Sequence, residues 1–271
     1  GQDGPDSERP GVDQIVQGMS GLMSITGEPE QGPMRVGIAI SDTSAGMFLG
    51  QGILLALLHR ERTGEGQWVH TSLLEAMMSK LDFQGARYTM SGEEPVQQGN
   101  DHPTQVPMGM FEAKDGFVNI AAFGGQMWQR FCGALSATAL FEHPDYQSVG
   151  SRTRHRDQIK RDMNAVTSKF TVVELVQALN EGGVPCGPIN TIKEAFDNPQ
   201  VKHLGMAVLA PHPEMGDLDL VRSPINLSEF PHGPSLERAA PDPGADAVDV
   251  LAGLGFSDDE IDALRVLRVI E

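Results

Sequence analysis

Two apolar runs, each followed by a helical pattern, constrain the fold of this 271-residue chain most. Residues 36–40 (VGIAI) predict a β-strand, and the apolar stripe in residues 42–62 predicts a long helix. The glycine-rich residues 63–66 are typical of a helix end. Residues 67–71 then predict a second strand, and residues 73–88 predict a second helix. The order strand, helix, strand, helix is that of an α/β sheet, which is the fold class we expect.

Asp42 stands where the first predicted strand gives way to the long helix. A carboxylate at the amino end of a helix is favoured in its ionised form by the macrodipole and by free backbone N–H groups. Such a carboxylate can act as a nucleophile on an activated acyl group. It can also be a helix N-cap and nothing more, and position alone favours that second role.

An excess of acidic residues limits the partners of the chain. The 37 Asp and Glu residues against 20 Lys and Arg residues give a formal net charge of −17. This charge argues against nucleic acid and anionic membrane surfaces as partners, but it does not exclude a small anionic ligand. Cys132 and Cys186 lie too far apart to suggest a disulfide framework, and no cysteine–histidine spacing indicates a metal site. The longest apolar stretch, residues 53–58, is too short to cross a bilayer.

A change in composition divides the chain after residue 90. Residues 91–107 are rich in Gly, Pro, Asn and Gln and predict a linker. A hairpin signal at residues 114–116 and three helical patterns then predict a small α+β domain over residues 108–204. Within this domain, two prolines are expected to stiffen a loop at residues 182–188.

The C-terminal part of the chain is less regular. Residues 205–244 combine strand-and-turn sequence with a proline-rich linker. Residues 245–271 end in a helix that a capping box opens, with Ser257 at the cap and Glu260 three residues later.

Dispersed motifs resemble those of one known family. They are RPGVD at residues 9–13, MSGLMSITG at 19–27, SDTSAG at 41–46, HRERTGEGQ at 59–67, GNDHPT at 99–104, GVPCGPIN at 183–190 and LGFS at 254–257. In this order they resemble the family III CoA-transferases, the group of formyl-CoA transferase and carnitine CoA-transferase. The match covers almost the whole chain, although each motif is weak alone.

The resemblance implies a large Rossmann-like domain that is built from both chain ends and is incomplete here. Residues 1–90 and 245–271 would belong to that domain, residues 205–244 would return to it, and residues 108–204 would form the small domain. Two subunits would interlock as a homodimer. Because the chain begins without Met and runs directly into organised sequence, we expect the natural start, and about the first third of a full-length member, to lie upstream.

The resemblance also implies a chemistry. Asp42 would be the catalytic carboxylate, and it would carry coenzyme A as an aspartyl-CoA thioester between an acyl-CoA donor and a small carboxylic acid acceptor. The coenzyme A thioester is a substrate, so neither a metal nor another cofactor is expected. We expect a cytoplasmic protein, with any targeting signal lying upstream.

Further residues are expected to support the site. Asp13 would lie near the active centre or cap a helix, and Gln17 would bind a substrate acid or face solvent, with solvent slightly favoured. Residues 91–107 would carry an active-site loop that shields the reaction from water, and that loop includes Gly99, Asn100 and His102. His102 would contact the acceptor carboxylate or lie in solvent. Two further glycines, Gly124 and Gly125, would line the cavity or end a strand.

Two alternatives stay open. An α-methylacyl-CoA racemase or related CoA isomerase needs an acid/base pair, normally a His before an Asp. Here Val12 precedes Asp13, and Gly124 replaces a racemase glutamate, so transfer is favoured. The other alternative is a truncated, inactive remnant that binds acyl-CoA.

Overall fold

The computed structural model describes residues 1–270, which form two compact units, residues 1–189 and 190–270. The first unit begins with five helices: α1 (Asp13–Met19), α2 (Leu22–Ile25), α3 (Ile40–Thr63), α4 (Leu73–Lys80) and α5 (Asp82–Ser91). Helices α1, α3 and α4 pack against one another, which places the first turn of α3 beside α1. The domain boundaries expected from the sequence remain predictions.

The predicted long helix is confirmed as α3. It ends at Gly64, where a φ of 79° and a 2.8 Å hydrogen bond from the backbone N–H to the Arg60 carbonyl make the expected glycine stop. Much of its apolar surface is exposed, with Leu54 and Leu55 at 67% and 68%. By length and composition α3 could cross a bilayer. Core helices of enzymes share both properties, so they do not by themselves indicate a membrane.

Both strands predicted in this part of the chain are wrong. Neither residues 36–39 nor residues 67–71 form regular secondary structure, and neither segment belongs to a sheet among the described residues. A β-strand needs a hydrogen-bonding neighbour, and the Gln17 side chain takes that place for residues 36–38. Its Oε1 accepts from the Val36 N–H at 2.9 Å, and its Nε2 donates to the Ile38 carbonyl at 3.1 Å.

The second part of the first unit contains the predicted hairpin. Strands β1 (Met108–Ala113) and β2 (Gly116–Ala121) pair antiparallel, and β3 (Cys186–Pro188) adds to β2. The predicted loop at residues 182–188 is therefore partly a strand, because Cys186 pairs with Ile120 and Pro188 with Val118. Five helices complete the unit: α6 (Gly124–Ala134), α7 (Thr138–Glu142), α8 (Val149–Arg154), α9 (Arg156–Thr167) and α10 (Val172–Glu181).

One hydrophobic core joins this sheet to its helices. The alternation of β1 and β2 buries Phe111 and Val118, while α9 and α10 contribute Met163 and Leu179. Trp128 on α6 belongs to the same cluster. The core holds the sheet in a fixed position, and the sheet forms part of the candidate site.

The second unit contains short helices and one hairpin. Its elements are α11 (Ile192–Asp197), α12 (Pro199–His203), β4 (Ala207–His212), β5 (Gly216–Val221), α13 (Ala247–Gly253) and α14 (Asp258–Val266). The predicted capping box is confirmed at the start of α14, where the Ser257 side chain accepts from the Glu260 N–H and the Glu260 carboxylate accepts from the Ser257 N–H.

Leu179→Ala should lower the free energy of unfolding of the first unit by about 3 kcal/mol, because it leaves a cavity in the shared core. Urea unfolding followed by tryptophan fluorescence measures this change, because Trp128 lies in the same core. Val173→Ala on the same helix is the matched control, since Val173 is 73% exposed and its loss should change stability by less than about 0.5 kcal/mol. An equal loss of unfolding free energy in the two variants would contradict the described core.

Candidate active site

Asp42 is the third residue of α3 and is exposed. The N-cap of α3 is Ala39, so the interpretation of Asp42 as an N-cap is wrong. Within residues 1–270 the Asp42 side chain has neither a hydrogen bond nor an ion pair, and it lies in the helix turn where the macrodipole favours negative charge. The carboxylate is therefore accessible, as a nucleophile must be.

Asp13 connects α1 to the residue before Asp42. Its Oδ1 accepts from the Ser41 N–H at 2.9 Å and from the Ser41 hydroxyl at 2.8 Å. Its Oδ2 accepts from the Gln17 amide at 2.8 Å, and Arg35 lies 3.6 Å away. The N-cap of α1 is Val12, so of the two roles considered for Asp13 the N-cap is wrong. Instead, the buried Asp13 carboxylate fixes the first turn of α3.

The pKa of the Asp13 carboxyl reflects these contacts. Burial raises it, but the hydrogen bonds from Ser41 and Gln17 and the positive charge of Arg35 together hold the pKa below its usual value. Asp13 is therefore a carboxylate at neutral pH and carries its charge at the start of α3.

Gln17 is fully buried, so the expectation that it faces solvent is wrong. Its amide nitrogen donates to Asp13 and to the Ile38 carbonyl, and its amide oxygen accepts from the Val36 N–H. Contacts within the chain therefore occupy the amide, which leaves little capacity for a substrate acid. Asp13 and Gln17 are four residues apart on one helix, a spacing that places their side chains next to each other and from which this pair could have been predicted.

A cavity of about 540 Å³ lies between residues 99–102 and the sheet β1–β2–β3. It brings together three predicted site residues, Gly99, Asn100 and His102. Asn119 and Cys186 also line the cavity, although no sequence pattern predicted either of them there. Asn119 lies mid-strand in β2 and carried no motif signal. Asp42 is not among the lining residues, so the structure does not place the nucleophile candidate in this cavity.

Cys186 is a thiol in this cavity rather than a reactive thiolate. Burial raises its pKa to about 11, which leaves the sulfur protonated near neutral pH. The residue therefore acts as part of the cavity wall and of the β2–β3 pairing.

His102 is half-buried rather than free in solvent. Its Nδ1 accepts from the backbone N–H groups of Thr104 at 3.2 Å and Gln105 at 3.0 Å, so the neutral ring carries its proton on Nε2. Burial, followed by the charge of Arg156, lowers the pKa of the ring. The ring also stacks on Phe83, with centroids 5.4 Å apart. His102 is thus a neutral Nε2–H donor in the wall of the cavity.

The backbone conformation at position 99 favours glycine. Its φ is 58°, and its N–H donates to the Gly27 carbonyl at 3.0 Å. A Cβ there would lie 2.7 Å from the carboxyl carbon of Glu28. Asn100 reaches the same carboxylate at 3.4 Å, so Glu28 and its turn hold one side of the loop.

Gly124 and Gly125 open helix α6 and do not line the 540 Å³ cavity. The structure therefore does not support a cavity role for either glycine. The Gly124 carbonyl accepts from the buried guanidinium of Arg152 at 2.7 Å, and Arg152 also donates to the Tyr146 carbonyl at 2.7 Å. No pattern in the sequence indicated that this arginine would be buried.

A family model described as CoA-transferase family III matches residues 1–247. The chain is 36% identical to a succinate–glutarate CoA-transferase of Agrobacterium fabrum, covering 94% of this chain and 63% of that protein. It is also 36% identical to a succinyl-CoA:mesaconate CoA-transferase of Haloarcula hispanica, covering 82% of this chain and 55% of that protein. The chain therefore spans less than two thirds of the length of both relatives.

A solved structure shares the fold. The crystal structure of a CAIB/BAIF family protein from Brucella suis matches with a TM-score of 0.79 and 30% identity, over 94% of this chain and 65% of that chain. This likeness confirms the α/β class. The Rossmann-like arrangement and the interlocked dimer remain predictions, and both sheets in residues 1–270 are small and antiparallel.

Asp13→Asn should lower the urea midpoint of the protein at pH 7, because the amide cannot replace a carboxylate that accepts three hydrogen bonds. The folded-state pKa of Asp13 is depressed, so its stabilisation is present above the unfolded carboxyl pKa and is lost as pH falls through the folded pKa. The difference in urea midpoint between wild type and Asp13→Asn should therefore be largest at pH 7 and become smaller below about pH 4.

Asp157→Asn is the matched control for this measurement. Asp157 lies in the first turn of α9 and is exposed, so its replacement should change the midpoint little at either pH. A gap for Asp13→Asn that stays constant from pH 7 to pH 3 would contradict the described network.

Proposed function

The chain belongs to CoA-transferase family III, and from this membership we propose that the protein transfers coenzyme A from an acyl-CoA donor to a carboxylic acid. The observation that carries the proposal is the exposed carboxylate of Asp42 in the first turn of α3, fixed through its neighbour Ser41. A carboxylate so placed is accessible, and it can act as a nucleophile without a general base because its oxygen attacks directly.

In the proposed mechanism Asp42 carries first the acyl group and then coenzyme A. The Asp42 carboxylate attacks the donor thioester carbonyl, which forms a mixed anhydride and releases the coenzyme A thiolate. The thiolate attacks the aspartyl carbonyl, which forms an aspartyl-CoA thioester and releases the donor acid. The acceptor carboxylate then displaces the thiolate to form a second mixed anhydride. Attack of the thiolate on the acceptor carbonyl gives the new acyl-CoA and regenerates Asp42.

Asp13 supports this chemistry indirectly. Its charge-assisted hydrogen bonds to Ser41 hold the first turn of α3, so the Asp42 side chain starts each cycle from one backbone position. A fixed nucleophile loses less entropy on reaching the attack geometry. In this proposal Asp13 and Gln17 act through the position of Asp42 rather than by contact with substrate.

The cavity beside residues 99–102 is proposed to hold the acid. Two relatives are named for dicarboxylic acids, succinate with glutarate and succinate with mesaconate, and we propose a dicarboxylic acid for this protein. His102 would donate from Nε2 to one carboxylate, and Asn119 would add a neutral hydrogen-bonding group. The volume of about 540 Å³ is within the range of small-ligand sites.

Proton exchange at an α-carbon is less well supported. The residue before Asp13 is valine, which cannot exchange a proton, and the Asp13 carboxylate accepts three hydrogen bonds within the chain.

We propose in addition that the protein is a cytoplasmic homodimer with interlocked subunits, as the family resemblance implies.

Asp42→Asn should lower the rate of coenzyme A transfer by about 10³-fold or more, because the amide is a poor nucleophile and cannot form the anhydride. The measurement is mass spectrometry of acyl-CoA products from succinyl-CoA with glutarate, mesaconate or oxalate, using the complete gene product. Glu61→Gln, which removes the same charge from an exposed position of α3, should keep the wild-type rate.

Two results would reject the assignment. One is substantial transfer by Asp42→Asn. The other is deuterium uptake from solvent at the α-carbon of an acyl-CoA in the absence of any acceptor acid, which would identify a racemase or isomerase.

A further inference from the structure

The segment at residues 97–105, here called the cavity loop, forms one wall of the candidate acid cavity and is held from two sides. On the first side it contacts the turn after α2. The Gln97 amide donates to the carbonyls of Thr26 at 2.6 Å and Gly32 at 2.7 Å, and the Gly99 N–H donates to the Gly27 carbonyl. These contacts fix the beginning of the loop.

Two cations of α9 hold the other side. Arg156 donates through one guanidinium nitrogen to the Pro103 carbonyl at 2.7 Å and through the other to the Gln98 side chain. Lys160, one helical turn further along, forms an ion pair with Asp101 and lies 4.5 Å above the Phe111 ring. The three points that they hold are spread along the loop on both sides of His102.

The loop lies directly on the edge strand β1. The His102 N–H donates to the Met108 carbonyl at 2.8 Å, and Asp101 forms an isolated antiparallel bridge with Gly109. A Cβ on Gly109 would lie 2.8 Å from the Asn100 carbonyl oxygen and 2.9 Å from the Asp101 Cα. Glycine at this position therefore allows the loop backbone to approach the strand.

We propose that Arg156 and Lys160 are positioning residues that hold the cavity loop against β1, so that the acid cavity is formed before substrate binds; this inference rests on the proposed CoA-transferase function. Neither cation lines the cavity itself. Both are only partly exposed, and both already have partners on the loop. Their role is therefore exerted through the loop and through His102 rather than on the substrate.

The geometry of the two side chains separates their contributions. The planar guanidinium of Arg156 reaches two loop positions five residues apart, which a lysine ammonium at that place cannot match with the same fixed geometry. Lys160 neutralises Asp101, whose carboxylate would otherwise stand uncompensated beside a cavity for an anionic acid. The two contacts thus hold the cavity loop against β1 and reduce the negative charge at the wall of the cavity.

Loss of the contacts should raise the KM for the acceptor acid and leave kcat nearly unchanged. When only a fraction of the molecules has the loop held against β1, the apparent dissociation constant for the acid rises by the inverse of that fraction. The complex with bound acid still has the loop in that position, so the rate from the complex changes little. For Arg156→Gln and for Lys160→Met we expect KM to rise about 10-fold and kcat to stay within about 2-fold. Arg156→Lys should restore part of the loss.

Hydrogen–deuterium exchange provides a readout that does not require turnover. The backbone N–H groups of Gly99, Asp101 and His102 are hydrogen-bonded, so the peptide that covers residues 97–105 reports loop opening. Arg156→Gln and Lys160→Met should each speed its exchange by about 10-fold. Arg161→Gln is the matched control, because it removes a charge from the exposed side of α9, where Arg161 bonds Gln158 on its own helix at 2.8 Å.

Gly109→Ala tests the same proposal without changing α9. The added methyl would occupy the place of the loop backbone, so it should speed exchange in residues 97–105 and raise KM in the same direction as the α9 variants.

Each outcome decides part of the proposal. Unchanged exchange in both α9 variants would overturn the claim that the two cations hold the loop. Faster exchange with an unchanged KM, or a lower Tm with an unchanged KM, would overturn the positioning role and leave a purely structural one. If the wild-type protein transfers coenzyme A to no acid, the proposed function fails, and the exchange measurement still decides whether Arg156 and Lys160 hold the loop.

Discussion

The buried carboxylate of Asp13 is the contact on which the candidate nucleophile depends. It accepts two hydrogen bonds from Ser41 and one from Gln17, and so joins α1 to the first turn of α3. Without it, the start of α3 would lose the acceptor of its Ser41 N–H, and a buried donor left unpaired costs about 1–3 kcal/mol. The position of Asp42 thus follows from a polar network that the apolar pattern of α3 does not explain.

The candidate acid cavity depends on a different set of contacts. A loop with glycine at position 99 lies on β1 because glycine at position 109 leaves room for it, and the core of β1, β2, α9 and α10 holds that strand in place. The nucleophile candidate and the acid cavity are therefore built by separate packing units along the chain. In the proposed function the carboxylate of the acceptor acid attacks the aspartyl-CoA thioester, so the acid and Asp42 would have to meet during turnover.

Local signals in the sequence predicted much of the fold, and long-range contacts decided the rest. The helix that carries Asp42, its glycine stop at Gly64, the hairpin of β1 and β2, and the Ser257 capping box all follow from short patterns. The strand expected at residues 36–40 failed because an apolar run cannot reveal whether a neighbouring strand exists, and there the Gln17 side chain replaces one. Arg152 carried no signal because tertiary folding alone brings it to its carbonyl partners, and Asn119 carried none because only the folded sheet places it at the cavity.

The central claim is that the Asp42 side chain becomes covalently linked to coenzyme A during turnover. The most direct measurement adds hydroxylamine or borohydride to the complete gene product during reaction with an acyl-CoA donor, followed by peptide mapping by mass spectrometry. We expect a hydroxamate or a reduced side chain at Asp42 that forms only when the donor is present. Turnover with an unmodified Asp42 peptide, or a label on another residue, would contradict it.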